Sequence, residues 1–273
     1  MIADNLSNIS RALLYQDKLD KAFNFEQRAL NILKIHEPNN ALKIIESLNQ
    51  MGEVQRKQGK YNKACDLFQE ALTIYETNPA RVKADIPFTL MSLGSIKYNS
   101  ERDFDEALSY YQRAVNALKE IYATDYSRII FSLKWIAFIH YQKQSYDHAI
   151  EFYEQCLRID EANSIPGQLT IDEFLKELSD IKRIQFQYGS SLAYELNRLL
   201  MREKVLPPNH QDIGKSLSNI GLCYEHLNQR KLALDYYKRA LVVYEQCLSA
   251  TDDRWTIELK IEELSAEMNQ FNI

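Results

Sequence analysis

The sequence predicts an all-α fold, a right-handed superhelical solenoid of antiparallel helix pairs, and three observations carry that prediction. The first is a leucine that returns every 42 or 43 residues, at Leu6, Leu48, Leu90, Leu133, Leu175 and Leu217. The second is a small residue 16 or 17 positions after each leucine, at Ala22, Ala64, Ala107, Ala149, Ser191 and Ala233. Self-similarity at such a period marks stacked units that bury their apolar faces only against their neighbours. The third is composition. With 7 Gly and 6 Pro in 273 residues, the chain lacks the punctuation of an all-β domain, whereas long helices need little.

The elements follow in order from the phase of the repeat. Asp4 to Tyr15 reads as a first helix A with nothing before it, so that helix is either tolerated bare or the chain is cut from a longer protein. Around the next marker, Leu48, Met51 and Val54 recur at three-residue steps, as on an amphipathic helix. The polar stretch Arg56-Lys57-Gln58-Gly59-Lys60 then turns the chain, and Tyr61, Ala64, Leu67, Phe68, Ala71, Leu72 and Tyr75 share one face of a helix B. Phe104, Ala107, Tyr111, Ala114 and Val115 repeat that outline, as do Tyr146, Ala149, Tyr153, Cys156 and Leu157. About six repeats result, over approximately 1–38, 40–80, 83–123, 125–163, 168–206 and 210–250. Trp255 to Phe271 looks like one more helix A without a helix B, and a capping helix is expected over 255–271.

Departures from the pattern are as informative as the pattern. Gly94 to Ala107 spans 13 positions where Gly52 to Ala64 and Gly221 to Ala233 span 12, and the extra residue is expected in the turn between the paired helices. Glu37-Pro38-Asn39-Asn40, Asn78-Pro79, Ile165-Pro166-Gly167 and Leu206-Pro207-Pro208-Asn209 read as loops between repeats, because proline lacks the amide donor a helix needs. Thr170-Ile171-Asp172-Glu173 fits a capping box at the start of the fifth helix A. The fifth repeat is irregular, with Ser179 where glycine recurs, Ser191 for alanine and Arg198 at the second small position. An arginine there is expected either to snorkel outward or to force the helices apart.

Composition narrows the function. A net charge of -5 gives no basic footprint for nucleic acid. No apolar run reaches the 18 or more residues of a membrane span, and the start of the chain lacks a signal-peptide pattern, so a cytoplasmic setting without membrane insertion is expected. Cys65, Cys156, Cys223 and Cys247 form no CxxC pair and read as reduced thiols. The five histidines show no metal-ligand spacing, no glycine-rich phosphate loop occurs, and the carboxylates sit at solvated helical spacing. No catalytic residue, cofactor, metal or small-molecule substrate is expected, and the chain is read as no enzyme.

The order Leu-x-x-x-Gly, then Ala-x-x-x-aromatic, then Ala-Leu is seen at Leu217 to Gly221 and at Ala233, Tyr237, Ala240 and Leu241. It resembles the tetratricopeptide repeat, whose standard unit is about 34 residues. The longer unit here, with Leu206-Pro207-Pro208-Asn209-His210 ahead of a repeat, looks like the repeats of kinesin light chains. The resemblance implies that each helix A lines a concave groove that holds a protein or peptide partner.

Carried over by phase, the second repeat would offer Asn49, Arg56 and Lys57 to that groove, and the sixth would offer Asn219. The fourth would place Phe131, Lys134, Trp135, Phe138 and Tyr141 there, a dense aromatic stripe on a face that should be wet. As a functional feature the stripe is an anchor for a partner, since exposed aromatic clusters dominate binding energetics. As a structural one it is internal packing, with Trp135 in the core. The expected function is a non-enzymatic interaction scaffold or adaptor. The alternatives are a cargo adaptor of the kinesin light chain type, or the regulatory or substrate-recruiting region of a larger enzyme.

Overall fold

The computed structural model of the chain describes residues 1–77, 86–163, 170–247 and 251–270. Among the described residues there are thirteen α-helices and no strand. They form two compact units, Met1–Ser145 and Tyr146–Ile273. The first contains α1 (Ile2–Tyr15), α2 (Leu19–His36), α3 (Ala41–Lys57), α4 (Tyr61–Thr77), α5 (Ile86–Ile96), α6 (Phe104–Ile121) and α7 (Tyr126–Gln142). The second contains α8 (Tyr146–Asn163), α9 (Thr170–Ile184), α10 (Tyr188–Val205), α11 (Gln211–His226), α12 (Arg230–Glu245) and α13 (Thr251–Gln270).

In the first unit α1 packs on α2, α3 on α4 and α5 on α6 as hairpin pairs, each pair stacks on the next, and α7 packs on α6. In the second, α9 pairs with α10 and α11 with α12, while α8 packs on α9 and α13 on α12. The periodic residues of the sequence are the ones that make these contacts. All six marker leucines and all six small residues are buried. A small side chain on helix B lets the two axes approach, and the apolar stripe around it supplies the stabilising area.

Close approach is sharpest where an aromatic ring of helix B lies on a glycine of helix A. A Cβ built on Gly221 would stand 2.7 Å from the Tyr237 ring, and one on Gly52 would stand 2.8 Å from Phe68. Both rings are buried, so the glycines are required by packing and not by backbone conformation.

The turn inside each hairpin is built the same way in both units. Asp17, Gly59, Arg102, Gln144, Phe186 and Asn228 all take left-handed backbone conformations, at the same interval of 42 or 43 residues. A left-handed residue after the last helical turn lets the following amide reach back to an unsatisfied carbonyl. Lys60 donates to Gln55 and Gln229 to Tyr224 in this way, each at 2.9 Å. Only at Gly59 does the residue type suit the conformation without steric cost.

The extra residue of the third repeat lies elsewhere than expected. Arg102 keeps the left-handed position, five residues before Ala107, just as Gly59 stands five before Ala64. The added residue is taken up earlier, where Lys97–Glu101 widens the end of α5 into a π-helical turn. The closing bond from Asp103 correspondingly reaches back to Lys97, at 3.1 Å. A π turn inserts a residue into a helix without disturbing the hairpin geometry that follows it.

Helix starts follow from short polar side chains. Asn40 accepts from the Lys43 amide at 3.4 Å, Asp103 from Glu106 at 2.9 Å and Asp125 from Arg128 at 3.2 Å. His210 accepts from the Asp212 amide at 3.1 Å through Nδ1. The Pro38 and Pro207-Pro208 segments lie between helices. The loops expected at Asn78-Pro79 and Ile165-Pro166-Gly167, and the Thr170 side chain of the expected capping box, lie outside the described residues.

Candidate functional site

The helices α1, α3, α5 and α7 of the first unit line a groove of about 490 Å³. Asn49 forms part of its wall and is itself buried. Its Oδ1 accepts a hydrogen bond from the Thr89 hydroxyl at 2.9 Å, while its Nδ2 has no partner among the described residues. A buried amide donor without an acceptor costs free energy on the order of 1–3 kcal/mol. Lys57 also lines the groove, is exposed, and makes no ion pair among the described residues. Arg11, Leu14 and Tyr15 of α1, Glu46, Gln50 and Glu53 of α3, Phe88 of α5 and Arg128 of α7 complete the lining.

Arg56, expected at the groove by phase, is paired within its own helix. Its guanidinium binds the Glu53 carboxylate at 2.8 and 2.7 Å through two parallel hydrogen bonds. A planar bidentate pair of this kind satisfies the arginine within its own helix. Lys57 is therefore the cation that α3 gives to the groove.

The aromatic stripe of α7 divides into a packed part and a free part. The Trp135 indole lies parallel to the Tyr111 ring at 5.7 Å and edge-on to Tyr98 at 5.3 Å. Phe138 meets Trp135 at 5.8 Å and Tyr98 at 5.7 Å. Trp135, Phe138, Lys134 and Tyr141 are half-buried. Phe131 joins the edge of the cluster, 6.4 Å from Trp135, and keeps 49% of its surface in water. It lies three residues after Arg128, on the same side of α7 as the groove rim.

Tyr98 was not singled out by sequence. It belongs to the π-helical turn, and Arg102 lies over its ring at 5.2 Å from the centroid. Only the 13-residue interval between Gly94 and Ala107 hinted that this stretch was unusual.

Asn219 belongs to the second unit and is occupied internally, donating to Glu195 at 3.2 Å. There it joins a buried polar network. Arg198 does not snorkel: it is 3% exposed and binds Glu195 at 3.1 and 3.0 Å and Asp172 at 3.3 Å. Arg202 grips the same Asp172 at 2.8 and 2.7 Å and reaches the Ser216 hydroxyl at 3.0 Å. Burial works to raise the Asp172 carboxyl, yet the guanidiniums of Arg202 and Arg198 hold it below the usual carboxylate range. Paired charges can stay in the interior, so Arg198 is held inward where snorkelling was one expected outcome.

Family models for the tetratricopeptide repeat match residues 45–78, 85–162 and 216–254. The chain is a tetratricopeptide repeat protein. Solved structures with the same fold include BtubC (BKLC) from P. vanneervenii, 16% identical over 82% of this chain and 90% of that one, with a TM-score of 0.60. The apo form of RapI is 14% identical over 100% of this chain and 73% of its own, with a TM-score of 0.66. A putative kinesin light chain with nearly identical repeats from Podosopora anserina is 14% identical, covers 75% of this chain and 97% of that one, and has a TM-score of 0.57. No curated protein sequence matches the tetratricopeptide repeat chain. Its fold is that of a protein-interaction scaffold, and no helix among the described residues is long and apolar enough to cross a membrane.

Proposed function

We propose that the groove of the first unit binds an extended peptide segment of another protein and performs no chemistry on it. The observation that carries this reading is Asn49, a buried side chain whose Nδ2 faces no acceptor in a wall of the groove. A peptide carbonyl is an acceptor of the right reach. The lining carries both signs of charge, Arg11, Lys57 and Arg128 beside Glu46 and Glu53, and Phe131 offers half its ring as an apolar anchor one turn beyond Arg128. An extended ligand suits a surface in which polar and aromatic contacts come from successive helices.

Peptides selected from a random display library against the folded protein, then titrated by calorimetry, test the proposal. Asn49→Ala, and separately Lys57→Ala with Phe131→Ala, are each expected to weaken binding about 10-fold or more. Selected peptides whose affinity is untouched by both variants would remove the groove from consideration.

A further inference from the structure

Two repeats of this chain depart from the aromatic-on-glycine contact in the same way. Glu26 lies four residues after Ala22, where Phe68 follows Ala64 and Tyr111 follows Ala107. Glu195 lies four residues after Ser191, where Tyr237 follows Ala233. Opposite each glutamate the recurrent glycine has become a serine, Ser10 in α1 and Ser179 in α9. Both glutamates are fully buried, at 0% exposure.

Their partners differ. Glu195 Oε1 accepts from Ser179 at 2.8 Å, and the Arg198 guanidinium donates to both of its oxygens. Glu26 Oε1 accepts from Ser47 at 2.6 Å and Ser7 at 2.9 Å, while the Ser10 hydroxyl donates to the Ala22 carbonyl at 2.8 Å. Glu26 Oε2 is buried with no hydrogen-bond partner among the described residues. At the position of Arg198, α2 carries Ala29.

A cavity of about 140 Å³ adjoins Glu26, well above the roughly 10–15 Å³ that a single water requires. Ala3, Leu33 and Ser47 form part of its wall. By register these are the positions that hold Asp172, Arg202 and Ser216 in the second unit. The first unit thus has the buried carboxylate and the surrounding space, and the second has the same carboxylate with arginines filling the space.

The geometry points to a receptor for an arginine side chain in this cavity, the guanidinium donating to Glu26 Oε2 as Arg198 donates to Glu195. The arginine would come from the peptide in the groove, and to that extent the inference rests on the function proposed above. Cavity and groove are continuous in composition, sharing Arg11, Glu46 and Gln50. The charged groups lining the same cavity are Asp4 and Arg11 from α1 and Lys43 and Glu46 from α3, and of these the Arg11 guanidinium acts on the Glu26 carboxyl through space. Lys43 is held by Asp4 at 2.8 Å and Glu37 at 3.5 Å, and Arg11 is exposed and makes no hydrogen bond to Glu26 among the described residues. The guanidinium that repeat five supplies from its own helix is therefore left for a ligand to supply in repeat one.

The test uses the whole protein with carbon-13 in its glutamate carboxyl groups, titrated with N-acetyl-arginine amide and with its neutral isostere N-acetyl-citrulline amide. The Glu26 carboxyl resonance, assigned by its loss in Glu26→Gln, is expected to shift saturably with the arginine probe and to stay in place with citrulline. Ala29→Arg, which supplies the guanidinium from α2, is expected to abolish the arginine-induced shift; should that variant not fold, the two probes on the native protein still decide. A Glu26 signal unmoved by the arginine probe, or moved equally by citrulline, overturns the site, as does a full shift in folded Ala29→Arg. The double variant Lys57→Ala, Phe131→Ala separates the two readings, because it removes groove contacts and should leave the arginine-induced shift intact.

Discussion

Trp135 and Tyr111 lie face to face, with ring planes 3° apart and centroids at 5.7 Å. The pair joins α7 to α6 through a ring that also packs against Gly94 of α5, where an added Cβ would stand 3.0 Å from it. Tyr111 is buried, and burial pushes its hydroxyl well above the ordinary tyrosine range. The indole therefore serves packing first, and the solvent-facing part of the stripe is Phe131.

That division predicts unequal effects along one helix. Trp135→Ala should lower unfolding stability by about 2–4 kcal/mol, through lost burial and a lost aromatic pair. Phe131→Ala should cost about 1 kcal/mol or less, because half of its ring already faces water. Urea denaturation followed by circular dichroism measures both, and equal losses would mean that the stripe is packed along its whole length.

The glycines make an internally controlled pair. Gly221→Ala places a methyl 2.7 Å from the Tyr237 ring, whereas Gly189 of α10 has nothing within 4 Å of an added Cβ. Gly221→Ala is expected to destabilise by about 1–3 kcal/mol through overpacking. Gly189→Ala should stabilise by about 0.4–1 kcal/mol by narrowing the unfolded ensemble. Thermal melts of the two variants against the parent chain distinguish them by sign.

Asp172 makes a pH prediction. Its folded carboxyl is held below the ordinary range, so its stabilising contribution is complete above the unfolded value near about 3.9 and is lost as pH falls through the lower folded value. Acid unfolding monitored between about pH 5 and 2 should be less steep in Asp172→Asn, which is uncharged throughout that range. Arg198→Ala should cost about 3–5 kcal/mol at neutral pH, because it strands the buried Glu195 charge. A variant with parental stability at neutral pH would show that the network is dispensable.

Most of the fold was legible because each contact that defines a hairpin lies within one period. Leu48, Ala64, Gly52 and Phe68 are close in sequence and meet in space, so their spacing carried both the helices and their pairing. The extra residue near Gly94 was visible as an interval, but its placement was not. A turn insertion and a π-helical turn give the same count, and the difference lies in which backbone bonds close, as from Asp103 to Lys97.

The site was legible in part. Asn49 and Lys57 stand in the groove wall, while Arg56, expected beside them by phase, is paired with Glu53. Asn219, expected at the groove by phase, is half-buried and donates to Glu195. Hydrogen-bond partners are set by rotamers and by neighbouring helices, and periodicity says nothing about either. Glu26 and Glu195 did leave a trace, as the two places where an aromatic position turned acidic and its glycine turned to serine.

By itself, then, the sequence determined the repeat, the helical hairpins and the face each residue presents, because those follow from spacing along a single chain. Tertiary structure decided which polar groups are spent and which are left over. Arg198 satisfies Glu195 from the same helix and is itself held by Asp172 of a neighbouring one, while Glu26, with Ala29 in that arginine's place, keeps one buried oxygen unmatched. The reason is that desolvation depends on everything packed around a group, and that environment is assembled only when the helices stack.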